Sequence, residues 1–281
     1  MNEHDEPRLD LSERELALAV EESLHDLFRA VARLPGGELE ELDGYSRHHA
    51  FPSNPMFKGV WATRLTPDEV HTAAEEALAW HRARDAPFVC WWAGPTAEPE
   101  DLGERLVPHG FAPFEIDAPG QVCELDELDW SLRERVPDGF RVERVRSDGA
   151  LDTFGRTFVE AFELPDRAGQ AWVDATHAVG VGTTPWELYV GRLDGRPVAT
   201  TMLFCGAGVA TVLAIGTVPE ARGRGIGAAI TLAGLADARE AGYRYGVLFA
   251  TDLGAPVYRR LGFRDANASI SRWLWTADAP G

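Results

Sequence analysis

Residues 218–227 read Val-Pro-Glu-Ala-Arg-Gly-Arg-Gly-Ile-Gly, and no other stretch restricts the fold of this chain so tightly. Gly223, Gly225 and Gly227 give the backbone conformations closed to other residues and let a ligand approach the main chain. An apolar, Val- and Thr-rich stretch at 209–218 precedes the glycines and reads as a strand. Behind them Ile226, Ala229, Ile230, Ala233 and Ala236 recur at helical spacing through 226–241. A strand, a glycine turn and a helix in that order place unpaired first-turn N–H groups and the positive helix end at the loop, which makes an anion site. Arg222 and Arg224 add charge suited to phosphate oxygens.

The elements around this loop follow from pattern. Strands are expected at 140–146, 187–193, 197–205, 209–218 and 244–250, helices at 149–163, 168–179 and 254–261, and a last extended segment at 263–275. Asp194-Gly195 is a hairpin signal. The uncharged run 197–219 is long enough for a membrane span, but Gly206-Ala207-Gly208 breaks it and both halves favour strands. Upstream, an amphipathic helix at 12–34 stops at Gly36-Gly37. An irregular aromatic and Pro-rich passage at 43–57 follows, then a strand (59–65), a helix (68–84), a strand (87–92) and a helix (100–107) ending at Gly110-Phe111.

The two halves repeat faintly. Pro219 lies 152 residues beyond Pro67, Phe263 lies 152 beyond Phe111, and the element order between these anchors agrees. A chain of 281 residues fits two domains. The expected division is an acidic, unanchored tail over 1–11, a first domain over 12–128, a linker over 129–138 and a second domain over 139–277.

Composition limits the partners. A formal charge of −18 argues against nucleic acid and anionic membranes, which need a basic footprint, and is compatible with a cationic substrate. Cys90, Cys123 and Cys205 form no C-x-x-C pair, and the start lacks a secretory pattern, so a cytoplasmic protein with reduced thiols is expected. The eight histidines include no H-x-x-x-H, and adjacent His48-His49 is the nearest approach to a ligand pair, so no metal is expected. A dinucleotide-binding unit is disfavoured because the glycines do not read G-x-G-x-x-G and only 29 residues follow Asp252.

Arg222-x-x-Gly225-x-Gly227, with Val218-Pro219 before it, resembles the Q/R-x-x-G-x-G/A signature of the GNAT superfamily of acyl-CoA-dependent N-acetyltransferases. Tyr258-Arg259-Arg260-Leu261-Gly262-Phe263 is similar to the family's Y-x-x-x-G-F segment, and the resemblance covers nearly all of 139–277. It implies an α/β fold with a mixed, mostly antiparallel sheet flanked by helices, and acetyl-CoA as co-substrate. It further implies that Arg222, Gly223, Arg224, Gly225, Ile226, Gly227 and Ala228 bind the pyrophosphate and that the strand around Thr217 and Val218 bonds the pantetheine arm. A backbone amide near Val218 would stabilise the oxyanion, and Tyr258 would be the general acid that protonates the departing thiolate. Thr251 stands where many relatives have Asn. The N-terminal half resembles a degenerate GNAT-like half, through 87–92 and 101–106, and has Thr66-Pro67-Asp68-Glu69 where the other half has its glycine loop.

The implied activity is direct acetyl transfer to a small-molecule or peptide amine, with the acceptor undetermined. Glu187, Asp252 and His177 are base candidates by position only. A non-catalytic acyl-CoA-binding sensor or interaction module is the alternative.

Overall fold

The computed structural model describes residues 6–50 and 55–277, so residues 1–5 of the expected tail and 51–54 of the irregular passage lie outside the described residues. Helix α1 (Glu13–Ala32) starts at a capping box in which Ser12 and Glu15 bond each other's backbone amides. The first half continues with β1 (Glu38–Leu42), β2 (Tyr45–His49), β3 (Lys58–Trp61), α2 (Glu69–Arg82), β4 (Phe88–Ala93), α3 (Leu102–Leu106) and β5 (Ala112–Glu124). The second comprises β6 (Phe140–Arg144), α4 (Asp148–Phe162), α5 (Asp166–Val179), β7 (Trp186–Leu193), β8 (Arg196–Gly206), β9 (Val209–Thr217), α6 (Ile226–Glu240), β10 (Tyr245–Phe249), α7 (Ala255–Leu261) and β11 (Arg264–Thr276).

The eleven strands among the described residues form one sheet, in the order β1-β2-β3-β4-β11-β5-β10-β9-β8-β7-β6. The last strand of each half has crossed into the other. Strand β5 pairs with β10 and β11 with β4, while β5 and β11 pair antiparallel at the centre. The pairs Arg264↔Val122 and Leu274↔Ala112 are interchanged by the 152-residue offset, so the repeat is a pseudo-two-fold axis between these strands. Within each half a parallel strand-helix-strand unit (β3-α2-β4, β9-α6-β10) leads to a short helix closed by a left-handed glycine, Gly110 (φ 86°) or Gly262 (φ 113°).

The run 197–219 is the β8–β9 hairpin, turning at positive-φ Ala207 and Gly208, and the Asp194-Gly195 hairpin also forms. Among the described residues no helix is long and apolar enough to cross a membrane. The expected irregular passage instead contains β2, paired with a β1 that sequence pattern did not suggest, and β5 was likewise not expected. The tail is not unanchored where it is described. The Arg8 amide donates to the Gly208 carbonyl at 3.0 Å, and Arg244 binds the Leu9 carbonyl and Asp10 at 2.6 and 2.9 Å, because one second-half guanidinium gathers both acceptors.

One core packs α1 residues Leu24, Phe28 and Val31 with Trp61 and Trp92 of the first half and Phe154, Trp172 and Trp186 of the second. Another holds α6 against the second half's sheet and includes Val218, Ile226 and Tyr258.

Candidate functional site

Strands β9 and β10 pair only at Ala210↔Gly246 and Thr211↔Val247. Beyond that point β9 stays with β8 as far as Thr217, whereas β10 stays with β5 through Phe249↔Gly120, and the Ala250 amide donates to the Pro119 carbonyl. Two strands that share a sheet but follow different neighbours must separate, and a cleft opens between them. Leu213, Ala214, Ile215 and Thr217 are therefore only partly buried although β9 is an interior strand.

A bulge shapes this edge of the cleft. Ala214 takes φ 50° where the pairing with β8 shifts between Thr200 and Met202, and the Thr200 hydroxyl donates to the Ala214 carbonyl at 2.8 Å. Such an irregularity re-aims backbone groups away from the ladder. The Val218 amide is spent on the Val198 carbonyl at 2.9 Å, so Val218's own amide is not available as the backbone donor expected near it. Consecutive strand amides point in opposite directions, and this parity turns the Thr217 amide toward the cleft instead.

At the end of β9 the chain makes a 3-10 turn over Pro219–Ala221 and enters the glycine loop. Gly223 (φ 73°) and Gly225 (φ 80°) are left-handed, and Gly225 is the N-cap of α6. The Ala229 amide is the first to bond within the helix, to the Gly225 carbonyl. The amides of Ile226, Gly227 and Ala228 have no helical acceptor, no side chain caps them, and the first turn has no acid. Nearly every side of α6 is apolar and buried, so packing fixes its N-terminus at the mouth of the cleft.

The two arginines differ. Arg222 turns inward, donating from Nε to the Thr217 carbonyl at 3.0 Å and from Nη2 to the Ala161 carbonyl and Glu163 at 2.9 and 3.4 Å. It braces the loop against the end of α4. Arg224 is exposed and has no partner among the described residues, leaving its guanidinium free for an external anion. The segment expected as a linker also reaches the loop, since the Arg135 carbonyl lies against Gly225 and the Arg135 side chain is exposed. Nothing in its sequence signals that contact.

Tyr258 sits on α7 in the same core cluster as Val218, Ile226 and Ala228. Its ring meets Phe263 at 6.0 Å between centroids and covers Gly254, where a Cβ would fall 2.6 Å from the ring. Burial raises the phenol's pKa well above the ordinary tyrosine value, and its oxygen makes no hydrogen bond among the described residues. Thr251 caps α7, its carbonyl accepting from Gly254 and Ala255 at 3.0 and 2.8 Å.

The base candidates separate clearly. Glu187 lies on β7, two strands from β9 or about 10 Å, and is paired with Arg146 at 2.6 Å. His177 on α5 faces Asp148 at 3.5 Å. Asp252 is exposed, unpartnered among the described residues, and follows β10 at the rim of the cleft. Tyr189, Asp237 and Arg144 form a further polar cluster, but Asp237 lies eleven residues along α6 from Ile226, about 16 Å by helical rise, and this cluster is structural.

In the first half β3 and β4 likewise pair at only two positions, but there the gap beyond them is bridged among the described residues. After β4 the chain returns to β3, with the Glu98 amide donating to the Thr63 carbonyl at 3.0 Å and the Leu65 amide to the Glu98 carbonyl at 3.2 Å. This segment closes the gap that stays open in the second half. Glu69 bonds the Thr66 amide and hydroxyl, both at 2.7 Å, which puts a carboxylate at the start of α2.

Comparison with known proteins agrees with this geometry. Residues 131–258 match the family described as Acetyltransferase (GNAT) domain. A protein named mycothiol acetyltransferase from Clavibacter sepedonicus is 32% identical over 178 residues, covering 60% of this chain and 48% of that protein. Another of the same name, from Saccharomonospora viridis, is 39% identical over 70 residues, covering 24% of this chain and 23% of that one. The chain thus spans half or less of the length of these curated relatives. Among solved structures, a GCN5-related N-acetyltransferase from Kribbella flavida superposes with a TM-score of 0.71 at 22% identity, covering 94% of this chain and 96% of that one. A tandem GNAT protein from the clavulanic acid biosynthesis pathway superposes at 0.57 with 17% identity over 96% of each chain. At these identities the structures establish a shared fold.

Proposed function

We propose that this chain, whose residues 131–258 match the GNAT acetyltransferase family, binds acetyl-CoA in the β9–β10 cleft and transfers the acetyl group directly to an amine. The observation that carries this reading is the splay of β9 from β10 with the uncapped start of α6 at its mouth. The amides of Ile226, Gly227 and Ala228 and the free Arg224 guanidinium receive the pyrophosphate. Arg222 acts by holding the loop, and the exposed edge of β9 at Thr217 bonds the pantetheine arm.

The neutral amine attacks the thioester carbonyl, whose developing charge is met by cleft-facing backbone amides at the β9 bulge and Thr217. Tyr258 gives its proton to the CoA sulfur as the C–S bond breaks, and the amine's extra proton leaves through Asp252 or water. One cofactor site per chain is expected, since the equivalent gap in the first half is closed by the Glu98 segment. The first half serves as scaffold and wall, its Phe57 ring meeting Trp172 of α5 at 4.9 Å between centroids.

The test is calorimetric titration with acetyl-CoA, beside an Arg224→Ala variant and a thiol-release assay over an amine panel that includes the acceptor of a mycothiol acetyltransferase. One CoA per chain, weaker binding in the variant and thiol release with an amine support transfer. Binding without turnover across the panel would make the protein an acyl-CoA sensor, and no binding would overturn the cofactor assignment.

A further inference from the structure

The exposed face of α2 carries His71 and Glu75 one helical turn apart, and His109 closes the 3-10 turn Val107–His109 beside them. The Nδ1 atom of His71 and the Nε2 atom of His109 are 3.3 Å apart, and Glu75 Oε1 is 3.6 Å from His71 Nε2. One donor atom from each of the three residues can be chosen so that all lie within 4.8 Å of one another. A tetrahedral ion with bonds of 2.0–2.1 Å holds its donors about 3.3 Å apart. The gap between the imidazoles therefore already matches one edge of such a site, and small rotations of exposed side chains bring in the carboxylate.

The backbone under these side chains is fixed. Val70, Ala73 and Ala74 on the opposite face of α2 are buried, and the 3-10 turn is held between Leu106 and Phe111, which are 0% and 2% exposed. The cluster thus joins two elements that are already packed together. Two imidazoles and one carboxylate form an N2O set suited to Zn2+, Co2+, Ni2+ or Cu2+ and poorly suited to Mg2+ or Ca2+, which favour oxygen. Without an ion, an exposed His–His hydrogen bond and an exposed His–Glu pair contribute little.

We propose that His71, Glu75 and His109 bind one divalent transition-metal ion, with water at the fourth position, and that the ion clamps the turn before β5 to α2. The site lies in the first half, takes no part in acetyl transfer, and stands independently of the reading of the cleft. The His71–Glu75 spacing alone did not announce it, because the third ligand comes from 38 residues away.

Tag-free, chelator-treated protein would be titrated with Zn2+ by calorimetry and with Co2+ by visible absorption, beside His109→Ala and Glu75→Gln. The expected result is one ion per chain and an intense Co2+ band of tetrahedral type. Loss of a direct ligand should weaken binding by at least the roughly 10–100-fold seen when an outer partner is lost, with circular dichroism unchanged. Zn2+ should also slow amide exchange at residues 107, 109 and 110 in the wild type and not in His109→Ala. Equal Zn2+ affinity in wild type and His109→Ala, or no saturable binding in the wild type, would overturn the proposal.

Discussion

The Arg135 carbonyl oxygen occupies the space into which a Cβ on Gly225 would project, so the connection between the halves is built against the N-cap of α6. Gly225 also has φ 80°, which costs an L-residue about 1–2 kcal/mol. Gly225→Ala must both strain the backbone and displace the 133–136 segment. We expect its acetyl-CoA dissociation constant to rise at least about tenfold, or 1.4 kcal/mol, with a lower Tm. Gly227 offers the contrast, since its nearest foreign atom would be the Thr217 hydroxyl at 3.7 Å. Gly227→Ala should fold as well as wild type or better, by up to about 1 kcal/mol from helix propensity. Equal loss of Tm in both variants, measured by thermal unfolding, would contradict the argument.

Tyr258→Phe keeps the ring that covers Gly254 and removes only the proton donor. Turnover should fall about 10²–10⁴-fold, the usual worth of a positioned acid, with acetyl-CoA affinity little changed. Because burial raises the phenol's pKa, the group stays protonated through the alkaline range in which an amine acceptor loses its proton. The wild-type pH–rate profile should therefore rise with pH and show no descending limb near the ordinary tyrosine value. A fall near pH 10 with an intact fold would mean that burial does not hold the phenol protonated, and a wild-type rate in Tyr258→Phe would assign the acid elsewhere.

Exchange of β5 and β11 makes the halves interdependent. A chain starting at residue 139 would lack β5, leaving the outer edge of β10 unpaired along Tyr245–Phe249 and β11 without either neighbour. Long unpaired edges associate. Residues 139–281 expressed alone should aggregate, and co-expression with residues 1–138 should restore a soluble complex, as read by size-exclusion chromatography and circular dichroism. A soluble, folded 139–281 fragment would contradict this.

Why that exchange was not legible in the sequence is a matter of particular residues. Strand β5 contains Pro113, Pro119, Gly120 and three acids, a composition depleted in strands, and its pairing comes from β10 and β11, far along the chain. Strand β1, Glu-Leu-Glu-Glu-Leu, likewise resembles a surface helix until β2 pairs with it. The glycine loop was legible because φ > 0 and an uncapped helix start leave a direct mark on residue choice. The inward turn of Arg222 was not, since it depends on the Ala161 carbonyl from another element. The equal 152-residue offset at both anchors also hid compensating changes. Six residues separate Pro219 from the start of α6 but one separates Pro67 from α2, while the loop after β4 is three residues longer than that after β10. The first half lacks the residues of a phosphate loop and has extra ones where its cleft is closed.

Acid should destabilise the first half through its buried histidines. Burial lowers His48 and His49 to about 4 and His81 to about 2, from 6.5 in the unfolded chain. Between the folded and unfolded values the unfolded chain binds more protons, so stability falls as pH drops below about 6.5. His48, fully buried with its ring bonded to the Met56 carbonyl and the Trp61 indole, accounts for about 3 kcal/mol of this by pH 4. His81 is also fully buried, and neither ring nitrogen has a partner among the described residues. Replacing it by a ring of similar shape removes two unsatisfied polar atoms. His81→Phe should raise Tm, by more at pH 5 than at pH 8, and flatten the wild-type decline between pH 7 and 5. An equal gain at both pH values would mean that the histidine's protonation does not drive the acid sensitivity.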